Sequence, residues 1–388
     1  MLKKIILLTN ILTPYRIKFY ELLYDEFVKR EIEFKVLVTS EAEPNRNWTY
    51  FQYKKDFTIL NKGKILSLPN NIFIHINWGI KKFFIKENPD LVISAGTYLY
   101  PALWQLLRIK DKLGVKVYYW NESHEHELRN YNRLIKTLRE YIRRNIFQHF
   151  DGFWFAGQWS LEFIEKYSKK NVPKIFVPNL IDNAIFDKSN NTPNEIKDVL
   201  RKKYMLPIDK IILLCPARLN KVKGQLDFLK HFQKIKNRKD FVILLVGDGD
   251  DKNAIEDMII EDNLWCVKLL GYQTENEIIN LYSISDYLLL PSNSDPNPLT
   301  CIESIWCSLP LIVSNHVGNA PEIVKEGING YILNMENSTN WDNIFTEIAN
   351  NDESWMKNAQ AYSYKLANDN YNNKSVVSRI VAETVFYE

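Results

Sequence analysis

The stretch CPARLNKVKG, residues 215–224, puts Arg218, Lys221 and Lys223 in a loop between an apolar run and Gly224, which opens a helical pattern. A helix dipole favours negative charge at its N-terminus, so cations gathered there have no local electrostatic reason. They gain one if an anion is shared between the free backbone N–H groups and the side chains. A diphosphate is the obvious anion; a solvated basic loop is the plain alternative. A second stretch, LLPSNSDPNPLTCIES at 289–304, again runs from apolar sequence through a polar loop into a helix. Asn297 reads as its N-cap and Pro298 as its first helical residue. The N–H groups of Leu299 and Thr300 would then be open to an oxyanion. Glu303, on the second turn among Ile305, Trp306 and Leu309, is placed to accept both hydroxyls of a ribose. Asp295, in the loop, can reach a sugar hydroxyl. In LLVGDGDD, 244–251, Gly247 and Gly249 permit a tight turn and close backbone approach to a ligand. The pattern is not GxGxxG, so it does not point to a dinucleotide. In LLGYQTENEI, 269–278, a flat base could stack or hydrogen-bond at Tyr272 and Gln273, although an ordinary turn explains both stretches equally well.

These loops need strands to position them. Short apolar runs alternate with helical patterns along the whole chain. The first half offers Lys4–Thr9, 34–39, 91–94, 115–120, 152–156 and 174–178 as strands; the second offers Ile211–Pro216, 241–247, 267–270, 286–291 and 310–314. Runs without polar alternation imply parallel sheets covered on both faces. Seeing the pattern twice in 388 residues predicts two doubly wound α/β domains. In such sheets ligands bind beyond the carboxyl ends of the strands, where these loops lie. The expected organisation is a first domain over 1–182, a second over 183–362, and a C-terminal helix over 363–388 that crosses back to the first. The polar stretch 187–195 reads as the surface connection.

Apolar residues at 46% and charged residues at 25% are those of an ordinary globular protein, which excludes extended disorder. No apolar run is long enough to span a bilayer, and the short run behind Lys3 and Lys4 reads as a buried strand rather than a leader. Cys215, Cys266, Cys301 and Cys307 have no metal-ligand spacing, and buried thiols fit a reducing cytoplasm. The net charge of +3 is uneven, with +11 over residues 1–180 and −8 over 181–388. A basic half suits an anionic membrane surface, a phosphate-bearing acceptor or nucleic acid. Scattered charge without a recognition motif argues against nucleic acid. Within that half, residues 133–150 carry an apolar stripe of Leu134, Leu138, Tyr141, Ile142 and Phe150 beside Arg133, Lys136, Arg139, Arg143 and Arg144. The stripe reads either as the core side of a helix with a solvated basic face or as a contact with an anionic membrane.

Taken in order, these motifs resemble family 4 of the retaining glycosyltransferases, whose fold is GT-B: two Rossmann-like doubly wound parallel-sheet domains facing a central cleft. Arg218 and Lys223-Gly224 match the family's diphosphate loop. Asp295-x7-Glu303 is similar to its Glu-x7-Glu element, with the first acid one methylene shorter. VPNLID at 177–182 and GNAPEIVKEGINGYIL at 318–333 are also similar to family elements. The resemblance implies that Glu303 binds the ribose, that Asp295 faces the donor sugar, and that Asn297, Pro298, Leu299 and Thr300 line the phosphates. In the first half, TPYRIKF resembles a subgroup in which Pro-Tyr-Arg opens the first helix, which puts Tyr15 and Arg16 on the acceptor side, where Arg16 contacts the acceptor or a donor phosphate; a helix-start arginine in solvent is the plain alternative. The family's mid-domain histidine falls in NESHEHE, 121–127, where Glu122, Ser123, His124 and His126 are all candidates.

The implied activity is transfer of a hexosyl group from a UDP- or GDP-type sugar, with retention, to a surface glycan or lipid-linked oligosaccharide. No cofactor and no metal are expected, and the location is cytoplasmic or peripheral on the inner membrane face. Two rivals share the scaffold: a sugar-nucleotide epimerase that cleaves its donor without an acceptor, and a catalytically silent partner subunit. Lys-, Asn- and Ile-rich composition suggests a bacterium of low GC content.

Overall fold

Two unbroken apolar runs, Lys4–Thr9 and Ile211–Pro216, become interior strands of two separate parallel sheets. The computed structural model describes residues 2–44, 49–68, 72–125 and 133–388, with Tyr15, Leu68 and Ile72 described by backbone alone. The described residues form two compact units: one from 2–123, 133–180 and 373–388, the other from 181–372 together with His124 and Glu125.

In the first unit the strands are β1 (Lys4–Thr9), β2 (Glu33–Val38), β3 (Thr58–Leu60), a separate antiparallel hairpin of β4 (Lys64–Leu68) and β5 (Ile72–Ile76), then β6 (Leu91–Ala95), β7 (Lys116–Asn121), β8 (Gly152–Phe155) and β9 (Lys174–Phe176). The seven-stranded parallel sheet has the order β3-β2-β1-β6-β7-β8-β9. Ile5 to Leu8 are fully buried in β1, as are Val92 and Ile93 in β6, because helices cover both faces. Pro14, at the first position of helix Pro14–Val28, ends the excursion from β1; its fixed φ suits that place. The chain returns at the end, where helix Asn373–Phe386 packs on Pro14–Val28. Val376, Val377, Ile380 and Val381 are buried there, and Arg379 donates to the carbonyl of Phe176 at 3.1 Å.

In the second unit the strands are β10 (Ile211–Pro216), β11 (Phe241–Val246), β12 (Val267–Gly271), β13 (Tyr287–Leu290), β14 (Leu311–Ser314) and β15 (Gly330–Leu333). Their order is β12-β11-β10-β13-β14-β15, all parallel. The core joins Leu213, Cys215, Ile243, Leu245 and Leu289 to Phe228, Phe232 and Phe345 of the covering helices. The stretch 187–191 is a 3-10 turn leading through Pro193 into helix Asn194–Lys203.

Four strands and one helix face depart from expectation. β3 is a three-residue edge, the β4–β5 hairpin lies outside the main sheet, and β15 follows the turn 325–329. The helix Arg133–Ile146 turns Leu134, Leu138 and Tyr141 to solvent and not to the core. Of the predicted stripe, only Ile142, half-buried, and Phe150, buried, face inward.

Candidate functional site

Each sheet changes direction at its first strand. In the second unit the chain runs from β10 outward to β11 and β12, then restarts at β13 on the other side of β10. Loops leaving β10 and β13 therefore diverge, and the crevice beyond their carboxyl ends is where such sheets hold ligands. The two sequence motifs are these two loops. They are tied together: the N–H of Asn293 donates to the carbonyl of Val222 at 2.9 Å, and its side-chain amide to the carbonyl of Lys221 at 2.8 Å. The ammonium of Lys223 is paired with the carboxylate of Asp295, 72 residues away. The cation assigned to the phosphate and the acid assigned to the sugar thus form one ion pair, one-quarter exposed at the lysine and one-tenth at the acid.

Gly224 caps helix Gln225–Phe232 at φ +71°, and a Cβ there would lie 2.3 Å from the carbonyl oxygen of Pro291. Glycine is needed for the left-handed turn and for the approach of the β13 loop. Arg218 is exposed, and its carbonyl is fixed by the Gln225 side chain at 3.0 Å. Gly247 has a different role from the one its sequence suggests. It sits at φ +137°, and a Cβ would meet the carbonyl of Ala217 at 2.3 Å. Its close approach is to the neighbouring loop; β11 thereby buttresses the backbone beside Arg218.

The helix Leu299–Trp306 starts one residue later than expected. Pro298, in extended conformation, is the N-cap, and no side chain caps the helix. The Asn297 side chain is engaged elsewhere: Asn319 donates to its Oδ1 and to the carbonyl of Pro298, both at 3.0 Å. The N–H groups of Leu299 and Thr300 fall in the first turn of this eight-residue helix, where intrahelical acceptors are lacking. One turn on, Glu303 accepts a 2.9 Å hydrogen bond from the buried phenol of Tyr282. Burial pushes the Glu303 carboxyl up to about 7, against the Tyr282 hydrogen bond that favours its charge. Tyr272 is exposed beside Gly271, while the Gln273 amide is used inside the turn, donating to Leu270 at 2.8 Å. Tyr282 and Asn319 were not singled out from sequence. Asn319 lay inside the quoted 318–333 element without a role, and nothing near Tyr282 distinguishes it from a core aromatic.

In the first unit the reversal lies between β1 and β6. There the loop after β6, the end of β7 and the helix after β1 enclose an open cavity of about 240 Å³. Arg16 lies over the Trp120 ring, 4.2 Å from its centroid, and donates to Glu122 at 2.5 Å. Arg16 is therefore not a solvated helix-start residue; its side chain is 14% exposed. Gly96, Tyr98, Tyr119 and Ser123 complete the wall. His124 follows directly and is buried. His126 and the Tyr15 side chain lie outside the described residues. Among the described residues, no three of His, Cys, Asp and Glu group as metal ligands would.

Residues 196–365 match the family model described as glycosyl transferases group 1, so the match contains the β10 loop, the β13 loop and Glu303. This segment is similar to group 1 glycosyl transferases. The N-acetyl-alpha-D-glucosaminyl L-malate synthase of Bacillus anthracis is 27% identical over 216 residues, 55% of this chain and 53% of that protein. The alpha-monoglucosyldiacylglycerol synthase of Acholeplasma laidlawii is 28% identical over 161 residues, 41% of this chain and 40% of that protein. The chain thus spans about half the length, or less, of these curated relatives. Solved structures match over almost the whole chain. Anabaena HepE in complex with UDP gives a TM-score of 0.74 at 15% identity, covering 99% of this chain and all of that one. The lipopolysaccharide outer core galactosyltransferase WaaB gives 0.71 at 14% identity, covering 99% of each. The fold around the matched segment is GT-B.

Proposed function

We propose that the protein is a glycosyltransferase whose second unit binds a nucleoside-diphosphate sugar and which transfers the sugar with retention. The observation that carries this reading is the convergence of the Arg218–Gly224 loop, the Asp295 loop and the N-terminus of Leu299–Trp306 at the direction change of one parallel sheet. Arg218, Lys223 and the N–H groups of Leu299 and Thr300 stabilise the leaving diphosphate by preorganised electrostatics. Glu303 accepts the ribose hydroxyls. Lys223 passes from Asp295 to the phosphate as donor binds, which releases the Asp295 carboxylate towards the sugar. In the transfer step the bond from the anomeric carbon to the diphosphate oxygen breaks. The acceptor oxygen bonds to that carbon from the same face, and its proton goes to the departing phosphate. A covalent sugar trapped on Asp295 would overturn this path.

HepE has been solved with UDP and with UDP-glucose, which supports a UDP-type donor here. The acceptor in this reading is a surface glycan or lipid-linked oligosaccharide, met at a membrane surface through the basic first unit. Arg16 and Glu122 work on the acceptor side. Transfer needs no metal, and activity should persist in EDTA.

The deciding experiment is calorimetric titration with UDP, GDP and ADP beside a Glu303→Ala variant. Micromolar binding of one nucleotide, lost in the variant, is expected. No binding by any of them moves the silent-subunit reading forward. Nucleoside diphosphate released from the sugar donor equally fast with and without acceptor identifies the epimerase.

A further inference from the structure

The helix Arg133–Ile146 gives the core only its last turns, through Ile142 and Ile146. Its cation Arg143 faces inward: the guanidinium lies 4.7 Å from the centre of the Phe163 ring and donates to the Tyr98 hydroxyl at 3.1 Å. Its leucines face outward. Leu134 is 81% exposed, Leu138 58% and Tyr141 66%, and their i, i+4, i+7 spacing makes one stripe. Ile135 beside them is also exposed. Asn145, on the same face, borders an open apolar cavity of about 270 Å³ that Ile146, Trp104 and Leu107 also line. Trp104 itself is partly exposed. Arg133, Lys136 and Arg144 are exposed around the stripe. The one acid on the helix, Glu140, lies 3.9 Å from Lys166, so the surroundings stay cationic.

A row of large apolar side chains held in water is costly unless something covers it. The cover must be apolar in the middle and anionic around it. A bilayer of anionic phospholipid has that profile: acyl chains receive the stripe, headgroups meet the cations, and tryptophan and tyrosine favour the boundary between them. We propose that Arg133–Ile146 is an in-plane membrane anchor, in which Leu134, Leu138 and Tyr141 enter the acyl boundary of an anionic leaflet and Arg133, Lys136 and Arg144 hold its headgroups. The anchor deepens the membrane part of the functional reading by naming the segment and the lipid charge. It does not depend on the donor site.

Flotation of the whole protein with vesicles tests it. Wild type is expected to float with phosphatidylglycerol–phosphatidylcholine vesicles and to bind vesicles of phosphatidylcholine alone at least about tenfold more weakly, since each basic residue near an anionic surface adds attraction. The variant L134S/L138S/Y141S should float with neither. The variant R133S/K136S/R144S should lose the preference for the anionic vesicles. Because all six side chains are exposed, both variants should fold, and their nucleotide titration should match wild type. The proposal is overturned if the apolar variant floats as wild type does, or if wild type binds neither vesicle. It is overturned equally if light scattering shows a wild-type dimer that the apolar variant turns into a monomer, for then a second copy covers the stripe. Nucleotide titration of the same wild-type sample judges the donor site separately.

Discussion

At Glu303 the protein keeps a carboxylate whose burial opposes its charge, and the consequence has a definite sign. Its folded pKa is about 7 against 4.5 for an ordinary glutamate, so the folded state holds the proton more tightly than the unfolded chain. Stability is therefore greatest below the unfolded value and falls as pH rises through about 7. Thermal melts of wild type and Glu303→Gln across this range should show the decline in wild type alone. Nucleotide affinity should run the other way. A group accepting two ribose hydroxyls must be ionised, so the affinity should rise from about pH 6 to pH 8, by no more than about tenfold per unit. In Glu303→Gln it should be weaker and flat. Lys223 makes a second test. Lys223→Met leaves Asp295 without its ammonium partner in a largely buried place, and should cost about 1–3 kcal/mol in urea unfolding. Donor affinity should fall as well. The residue types were readable at all these positions, because cations, a carboxylate and a helix start are visible in a string. Which groups touch was not. The pairing of Lys223 with Asp295 and the hydrogen bond from Tyr282 to Glu303 span 72 and 21 residues and depend on two loops and two helices meeting.

Among the elements, the strand-to-helix junctions do the positioning. Gly224→Ala should destabilise the second unit by at least about 2 kcal/mol, because it combines a left-handed backbone with a carbonyl 2.3 Å from the new methyl group. Asn319→Ala should weaken nucleotide binding with a smaller loss of stability, since it releases Asn297 and the Pro298 carbonyl at the start of the phosphate-facing helix. Isothermal titration and urea melts on the same two proteins separate these effects. Interior strands were legible as unbroken apolar runs; β1, β10 and β11 follow them almost to the residue. The misses have local causes. β3 is only three residues long. The β4–β5 hairpin, KILSL paired with IFIHI, alternates with period two and lies apart from the main sheet, so it has no continuous apolar run to mark it. The helix Arg133–Ile146 had the right periodicity, but its side stayed open between core and surface, because a period shows that a helix has an apolar face and not which way that face turns.

For the molecule as a whole, the C-terminal helix offers the sharpest test. Ending the chain at Asn372 removes Asn373–Phe386 from its seat on Pro14–Val28 and uncovers Val376, Val377, Ile380 and Val381. Fully burying an aliphatic side chain of this kind is worth roughly 1.5–3 kcal/mol, so the first unit should melt well below its temperature in the full chain. The second unit, which loses no strand or helix of its own, should still be shifted upward by nucleotide in the same calorimetric scan. Two parallel α/β sheets were already implied by the order of residues, since apolar runs and helical periods are local and additive along the chain. That order also determined which loops carry the cations, carboxylates and helix starts. Assembly of the fold was needed to settle that Lys223 would hold Asp295, that Gly247 would serve a neighbouring loop, that Pro298 would take the N-cap place while Asn319 holds the Asn297 side chain, and that Leu134, Leu138 and Tyr141 would face outward. The physical reason is the same in each case: these outcomes depend on which distant backbone or side chain arrives at the spot, and strand order and crossover direction set that only once the sheets are assembled.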